Sequence, residues 1–243
     1  MLTWIEPDQP LPPPEHARAE PNGLLAAGRD LSAARLLEAY GNGIFPWYSQ
    51  GQPVLWWSPD PRMVLFVDEF EPSRSLRKTL RRIDLTGSWT VTLDQAFLQV
   101  MRACAAPRPG QDGTWITRDI IKAYHALHQA GHAHSVEVWS DGRLIGGLYG
   151  VSIGRMFFGE SMFAQVTDAS KCACAALVAM LRRLDFCMVD CQQSTEHLAS
   201  LGAREIPREE FVTHVARHCR MPAVRWEFDP VYWNELLLPK PPA

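Results

Sequence analysis

Three groups of residues in this chain have the types and spacing that chemistry needs. Asp190-Cys191-Gln192 follows directly on the apolar run at 186–189. Polar groups at the end of a core strand are fixed by the scaffold and can reach a pocket. An aspartate there can act as a base or orient one, and it can equally cap a helix starting near 193–196. Glu160 lies in GESMF (159–163), among Met156, Phe157, Phe158, Met162 and Phe163. A carboxylate with such neighbours must be paired, protonated or at a pocket mouth. The Met and Phe side chains can line an adaptable apolar pocket, although a stripe at strand spacing also reads as plain core. The third group is basic: Arg74, Arg77, Lys78, Arg81 and Arg82. On a helix, positions 74, 78 and 81 share a face, flanked by 77 and 82. Such a patch suits phosphate oxygens, and it competes with the reading of a solvated helix face. It stands out because the whole chain carries a net charge of −3.

Other chemistries find no motif. There is no Walker loop, no GxGxxG after a strand, no GxSxG and no HExxH. His132 and His134 form HxH at a strand start, which alone is weak evidence for a metal. Cys172 and Cys174 point to different faces of a helix and have no matching Cys/His pair nearby, so no zinc set is expected there. Cys191 lacks an evident low-pKa environment and reads as a packed thiol.

The elements that position these residues follow from pattern. Apolar residues make up 47% and charged residues 21% of 243, the composition of a globular fold with its own core. The first twenty residues, rich in Pro and Glu, look extended or frayed. Asn22-Gly23 marks a turn, and Asp30 or Ser32 can cap a helix that Gly41 or Gly43 ends. WWSPDPR (56–62) breaks regular structure and marks a boundary between a small unit at 1–61 and a larger one at 62–243. Beyond it, strands are expected at 63–67 and 89–93, a basic helix at 73–82, a helix capped by Asp94, and a helix over 116–129 capped by Thr117. HSVEVWS, RLIGGLYGV and RMFFGESMF read as strands joined by hairpins at Asp141-Gly142 and Ile153-Gly154. A helix over 169–184 and a strand over 186–191 complete an α+β fold with a mainly antiparallel sheet flanked by helices. No signal-peptide pattern opens the chain and no run of about 18 apolar residues exists. A cytoplasmic protein with reduced cysteines, outside any membrane, is expected. Nothing requires more than a monomer.

Taken together, these segments resemble the bacterial leucyl/phenylalanyl-tRNA–protein transferase family. The likeness runs in order over 21–208, through PNGLLAAGRDLS, GIFPWYS, WWSPDPR, GTWIT, AYHALHQAGHAHSVEVW, GGLYGV, GESMF, ASK, DCQ and HLASLGAREIPR. The resemblance implies a small N-terminal α/β domain followed by an acetyltransferase-like (GNAT) domain. It implies transfer of Leu, Phe or Met from aminoacyl-tRNA to proteins beginning with Lys or Arg, marking them for N-end-rule degradation. No cofactor, metal or ATP is implied, because aminolysis of an ester runs downhill. The segment TDASKCACAA (167–176) lacks the glycine-rich phosphate cradle of acetyl-CoA enzymes, in keeping with a different acyl donor.

By position, the resemblance gives Asp190 and Gln192 as catalytic, with Asp190 activating the amine through Gln192. Glu160 would contact the ammonium or basic side chain of the acceptor. Trp47 and Trp115 would sandwich the 3′-terminal adenosine. Tyr40, Tyr124, Phe157, Met162, Leu177, Leu181 and Val189 would surround the transferred side chain. The basic helix (Arg74, Arg77, Lys78, Arg81, Arg82) would meet the tRNA phosphates. Departures fall at Leu148, Leu177, Leu181 and in the linker at 105–113, and the first three alter the pocket's shape while keeping it apolar.

Overall fold

The computed structural model describes residues 1–107 and 114–238, so most of the 105–113 linker lies outside the described residues. Strands β1 (Thr3–Ile5), β2 (Leu24–Gly28), β3 (Phe45–Pro46) and β4 (Val54–Trp57) form a small sheet in the order β1-β2-β4-β3. The start of the chain is therefore not frayed: β1 pairs in parallel with β2 and places Ile5 in the core. Helix α1 (Ala33–Gly41) is inserted after β2 and capped by Ser32, whose Oγ accepts from the Arg35 amide. It buries Leu36, Ala39 and Tyr40.

A seven-stranded sheet follows. It comprises β5 (Arg62–Phe66), β6 (Thr90–Leu93), β7 (Ala133–Ser140), β8 (Arg143–Ile153), β9 (Met156–Ala164), β10 (Met188–Gln192) and β11 (Arg204–Ile206), in the order β11-β5-β10-β9-β8-β7-β6. Every neighbouring pair is antiparallel except β9 and β10. The β7–β8 turn has positive φ at both Asp141 and Gly142, the geometry a two-residue hairpin needs. Between β8 and β9 stands Gly154, where a Cβ would come within 2.4 Å of the His218 carbonyl oxygen.

The helices are α2 (Arg74–Thr86), α3 (Phe97–Ala105), α4 (Arg118–Gln129), α5 (Ala169–Arg183), α6 (Glu196–Ser200), α7 (Arg208–His218) and α8 (Asn234–Leu237). Thr117 caps α4 as its position predicts. Asp94 does not cap α3, which starts at Phe97 without a side-chain cap. A left-handed backbone (φ 59°) turns Asp94 back onto β7, where its carboxylate accepts from the Ser135 amide and faces His134 Nδ1 at 2.7 Å.

Alternation along the strands divides the core. Phe158 joins Tyr40, Phe97, Tyr124, Tyr149 and Phe211 on one face, in a cluster that includes Leu25 and Trp56 of the small sheet. Phe157 joins Leu148, Leu177 and Val189 on the other, against α5. Helix α5 is buried nearly all round, and its alanines allow close approach: Ala169 Cβ lies 2.5 Å from where a Cβ on Gly146 would stand. The small sheet draws on residues 3–57 and the large one on 62–206, and buried side chains of both share one cluster.

Candidate active site

The parallel ladder between β9 and β10 lasts for two register positions, Val189 opposite Phe157 and Asp190 opposite Phe158. Just past its end, Glu160 and Gln192 bridge the two strands, Gln192 Nε2 donating to Glu160 Oε1 at 2.7 Å. A bulge between Asp190 and Gln192 makes this possible, because the extra residue re-aims the side chain that follows. Gln192 takes a left-handed backbone (φ 64°), an uncommon conformation for a non-glycine residue. Its own amide N–H, donating to Asp190 Oδ1 at 2.9 Å, holds it there. Asp190 thus caps no helix; α6 begins at Glu196 with Thr195 as its cap.

Asp190 is fully buried and forms a two-pronged ion pair with Arg62, Nε to Oδ1 at 2.8 Å and Nη2 to Oδ2 at 2.7 Å. Arg62 is likewise 0% exposed. Its guanidinium lies between the rings of Phe45 (4.7 Å) and Phe211 (4.5 Å), and Nη1 donates to the Gly43 carbonyl. A buried carboxylate requires this kind of compensation. It differs from the expected role, in which Asp190 charges the Gln192 side chain: the carboxylate meets Gln192 through the backbone, and the acid touching the carboxamide is Glu160. Arg62 was not singled out from sequence. Its signal is an arginine opening an apolar strand.

Glu160 lies 2.6 Å from the Tyr40 hydroxyl and 3.1 Å from that of Tyr124, and the two hydroxyls also meet. Their two protons are thus shared among three contacts unless a protonated Glu160 supplies the third. Burial pushes the Glu160 carboxyl up to about 7, against the pull of its bonds to Tyr40, Tyr124 and Gln192, and the nearby Asp190 charge adds to the rise. Burial also raises both tyrosines well above their ordinary range, with Glu160 as the next cause. Their role is polar: a buried hydroxyl needs a partner, and here the partner is Glu160.

A cavity of about 410 Å³ opens beside this network. Phe157, Met162, Leu177 and Val189 line it as expected, with Leu65, Leu148, Leu198 and Leu201 in addition, and with Glu160, Asp190 and Cys191 on its polar side. Three expected pocket residues fall elsewhere. Tyr40 and Tyr124 stand behind Glu160, and Leu181, fully buried in α5, is not among the lining side chains. The Cys191 thiol is raised well above its usual range by burial, as a packed thiol should be.

Trp47 and Trp115 line a second cleft, of about 830 Å³, together with Tyr48, Leu55 and Trp57. Trp47 is 40% exposed, and Trp57 Nε1 donates to its carbonyl oxygen at 2.7 Å. Trp57, edge-on to Trp47 with ring centres 5.5 Å apart, is a third aromatic that sequence did not single out. On α2, Arg74, Lys78, Arg81 and Arg82 are exposed, while Arg77 pairs with Glu71 at 3.0 Å. Arg82 lies over the Trp89 ring. None of the five lines either cavity.

An apolar cavity with the Glu160 carboxylate in its wall and a separate tryptophan cleft thus lie on one α+β scaffold. The family model described as leucyl/phenylalanyl-tRNA protein transferase matches residues 64–216, and that of the same transferase's N-terminal domain matches 29–60. The chain is 58% identical to the leucyl/phenylalanyl-tRNA–protein transferase of Paraburkholderia xenovorans (strain LB400), over 98% of this chain and 99% of the relative. It is 60% identical to that of Burkholderia multivorans (strain ATCC 17616 / 249), over 94% and 92%. Among solved structures, L-PGS from Bacillus licheniformis aligns over 72% of this chain and 57% of its own, with a TM-score of 0.40 and 12% identity, too slight a likeness to bear on function. The chain belongs to the leucyl/phenylalanyl-tRNA–protein transferase family, and it is an aminoacyltransferase.

Proposed function

We propose that the chain moves Leu or Phe, and also Met, from aminoacyl-tRNA to the α-amino group of proteins beginning with Lys or Arg, with Glu160 and Gln192 at the reacting centre. The observation that carries this is the Glu160 carboxylate, bonded to the Gln192 carboxamide and to tyrosine hydroxyls in the wall of an apolar cavity. The cavity takes the transferred side chain, and the cleft of Trp47 and Trp115 takes the terminal adenosine by stacking.

In the reaction the acceptor amine attacks the ester carbonyl, a C–N bond forms, and the C–O bond to the tRNA ribose breaks. The amine must shed a proton, and the leaving ribose oxygen must gain one. A carboxyl raised to about 7 can take and return a proton near neutrality. A neutral amide is a poor base, so Gln192 orients the amine while Glu160 receives its proton. Asp190 and Arg62 are positioning residues that hold the bulge. The exposed cations of α2 meet tRNA phosphates. The division into an N-terminal unit (1–61) and a GNAT-type domain (62–243), action as a monomer and a cytoplasmic location belong to the same reading. Among the described residues no helix is long and apolar enough to cross a membrane.

The test is transfer of labelled leucine from Leu-tRNA to peptides that differ only in their first residue. Lys- and Arg-initiated peptides should accept it and Asp- or Glu-initiated ones should not. Gln192→Ala should reduce kcat by about 10²-fold or more. Wild-type turnover in that variant would show that the carboxamide has no part in the reaction.

A further inference from the structure

Away from the active site, three side chains that could bind a metal converge where β10 begins and α7 ends. We propose that Cys187, His214 and His218 form a zinc-binding site, with water completing a tetrahedral set. Their ligand atoms all lie within 4.8 Å of one another, and Cys187 Sγ is 3.8 Å from His214 Nδ1. With Zn–S near 2.3 Å and Zn–N near 2.0–2.1 Å, tetrahedral ligands stand about 3.3–3.6 Å apart, so small rotamer changes close the set.

Two features beyond proximity favour a metal. His214 and His218 are spaced i,i+4, which puts both imidazoles on one face of α7, and their rings lie 5.6 Å apart and nearly parallel. His218 Nδ1 is 2.8 Å from the His214 carbonyl oxygen. A proton on Nδ1 donates there and leaves the Nε2 lone pair for a metal, the outer-shell arrangement typical of histidine ligands. All three residues are half-buried, within reach of solvent.

The donor set selects the metal. One thiolate and two imidazoles suit Zn²⁺ and disfavour the hard cations Mg²⁺ and Ca²⁺. Arg217 faces both Cys187 and His214, with Asp68 on the Cys187 side and Glu210 near His214. Arg217 opposes a bare dication but favours the thiolate that must accompany it. Without metal, burial keeps the Cys187 thiol above its usual range, which argues against a nucleophilic Cys–His pair.

The site would tie two working elements together. β10 runs on from Cys187 to Asp190 and Gln192, and α7 carries Phe211, whose ring covers Arg62. Bound zinc pins strand to helix behind the Arg62–Asp190 pair.

The test uses the full, reduced, metal-free chain and reads metal binding, so it is independent of the transfer reaction. Calorimetric titration with Zn²⁺ should give one equivalent bound. Co²⁺ should give thiolate-to-cobalt charge-transfer absorption with tetrahedral d–d bands. His218→Gln should weaken Zn²⁺ binding by at least about tenfold, and Cys187→Ser should abolish the charge-transfer band. Cys219→Ser, adjacent in sequence but outside the set, should preserve both. Circular dichroism of each metal-free variant checks folding, and if Cys187→Ser does not fold, His214→Gln takes its place with loss of Zn²⁺ affinity as the readout. Absence of binding in the wild type, or wild-type binding in His218→Gln, would overturn the assignment. So would loss of the cobalt band in Cys219→Ser.

Discussion

Replacing Glu160 by glutamine should change activity and stability in opposite directions. Glutamine keeps the size of the side chain and an oxygen for the Tyr40 hydroxyl and the Gln192 amide, which share Oε1. Its NH2 can donate to the Tyr124 oxygen in place of Oε2, but it cannot take up a proton. In the folded chain the carboxyl is raised from 4.5 to about 7, chiefly by burial. The sign follows from linkage. A raised carboxyl favours its protonated form in the fold, so its contribution is most favourable below the unfolded pKa. That contribution is lost as pH rises through the folded value. At about 1.4 kcal/mol per pKa unit, the wild type gives up roughly 3 kcal/mol between pH 4.5 and 7. Above pH 7 the Glu160→Gln variant, an isostere of the neutral acid, should therefore be more stable than wild type, by up to roughly 3 kcal/mol. At pH 4.5 the two should nearly coincide. Transfer should fall about 10²–10⁴-fold, the usual value of a positioned proton acceptor. The rise of wild-type kcat/KM through pH 7 should also disappear, leaving only the titration of the acceptor amine, near 7.7–8.0. Urea unfolding at both pH values, paired with leucine transfer from Leu-tRNA, reads both effects. A variant that lost stability and activity together at pH 8 would refute the proton-acceptor role, since that is what a merely structural carboxylate would do. So would a variant that kept the limb at pH 7.

Three further outcomes follow from the same geometry. Arg62→Met strands the buried Asp190 charge and should cost about 3–5 kcal/mol, lowering Tm by roughly 10 °C in calorimetry. A loss below about 1 kcal/mol would show that Asp190 is compensated in some other way. Trp47→Ala or Trp115→Ala should weaken the donor by about 1–3 kcal/mol, seen as a raised KM for Leu-tRNA and for a minimal leucyl-adenosine alike. An unchanged KM for leucyl-adenosine would place the adenosine elsewhere. Arg77→Ala with Lys78→Ala should raise KM for aminoacyl-tRNA and flatten its salt dependence while sparing leucyl-adenosine, and an equal loss with both donors would assign α2 to folding instead.

The hairpins and helices α4 and α5 are legible because each rests on local signals: alternation, turn residues with positive φ, and a Thr cap. The cysteine pair 172/174 lies on a helix, as the pattern indicates, and the structure adds that both thiols are buried. What sequence missed depends on contacts between distant segments. The first residues read only as extended or frayed because three residues show no pattern; β1 is extended, and its order comes from pairing with the distant β2. Asp94 has the composition of a cap, but a left-handed backbone sends it to β7 instead.

The candidate active site shows the same limit more sharply. Asp190 and Gln192 are two apart, so a regular strand would put them on one face and suggest that one acts on the other. The bulge at Cys191 breaks that rule: it leaves Asp190 facing Arg62, 128 residues away, and brings Gln192 to Glu160. One extra residue in a strand thus changes which carboxylate serves the carboxamide. Residue types and order could nominate Asp190, Gln192 and Glu160, but their division of labour is set by a bulge that leaves no mark in composition. The Asp190 carboxylate is paired with its arginine and, among the described residues, the Glu160 carboxyl has no cation beside it, which is why the proposed mechanism gives the proton to Glu160.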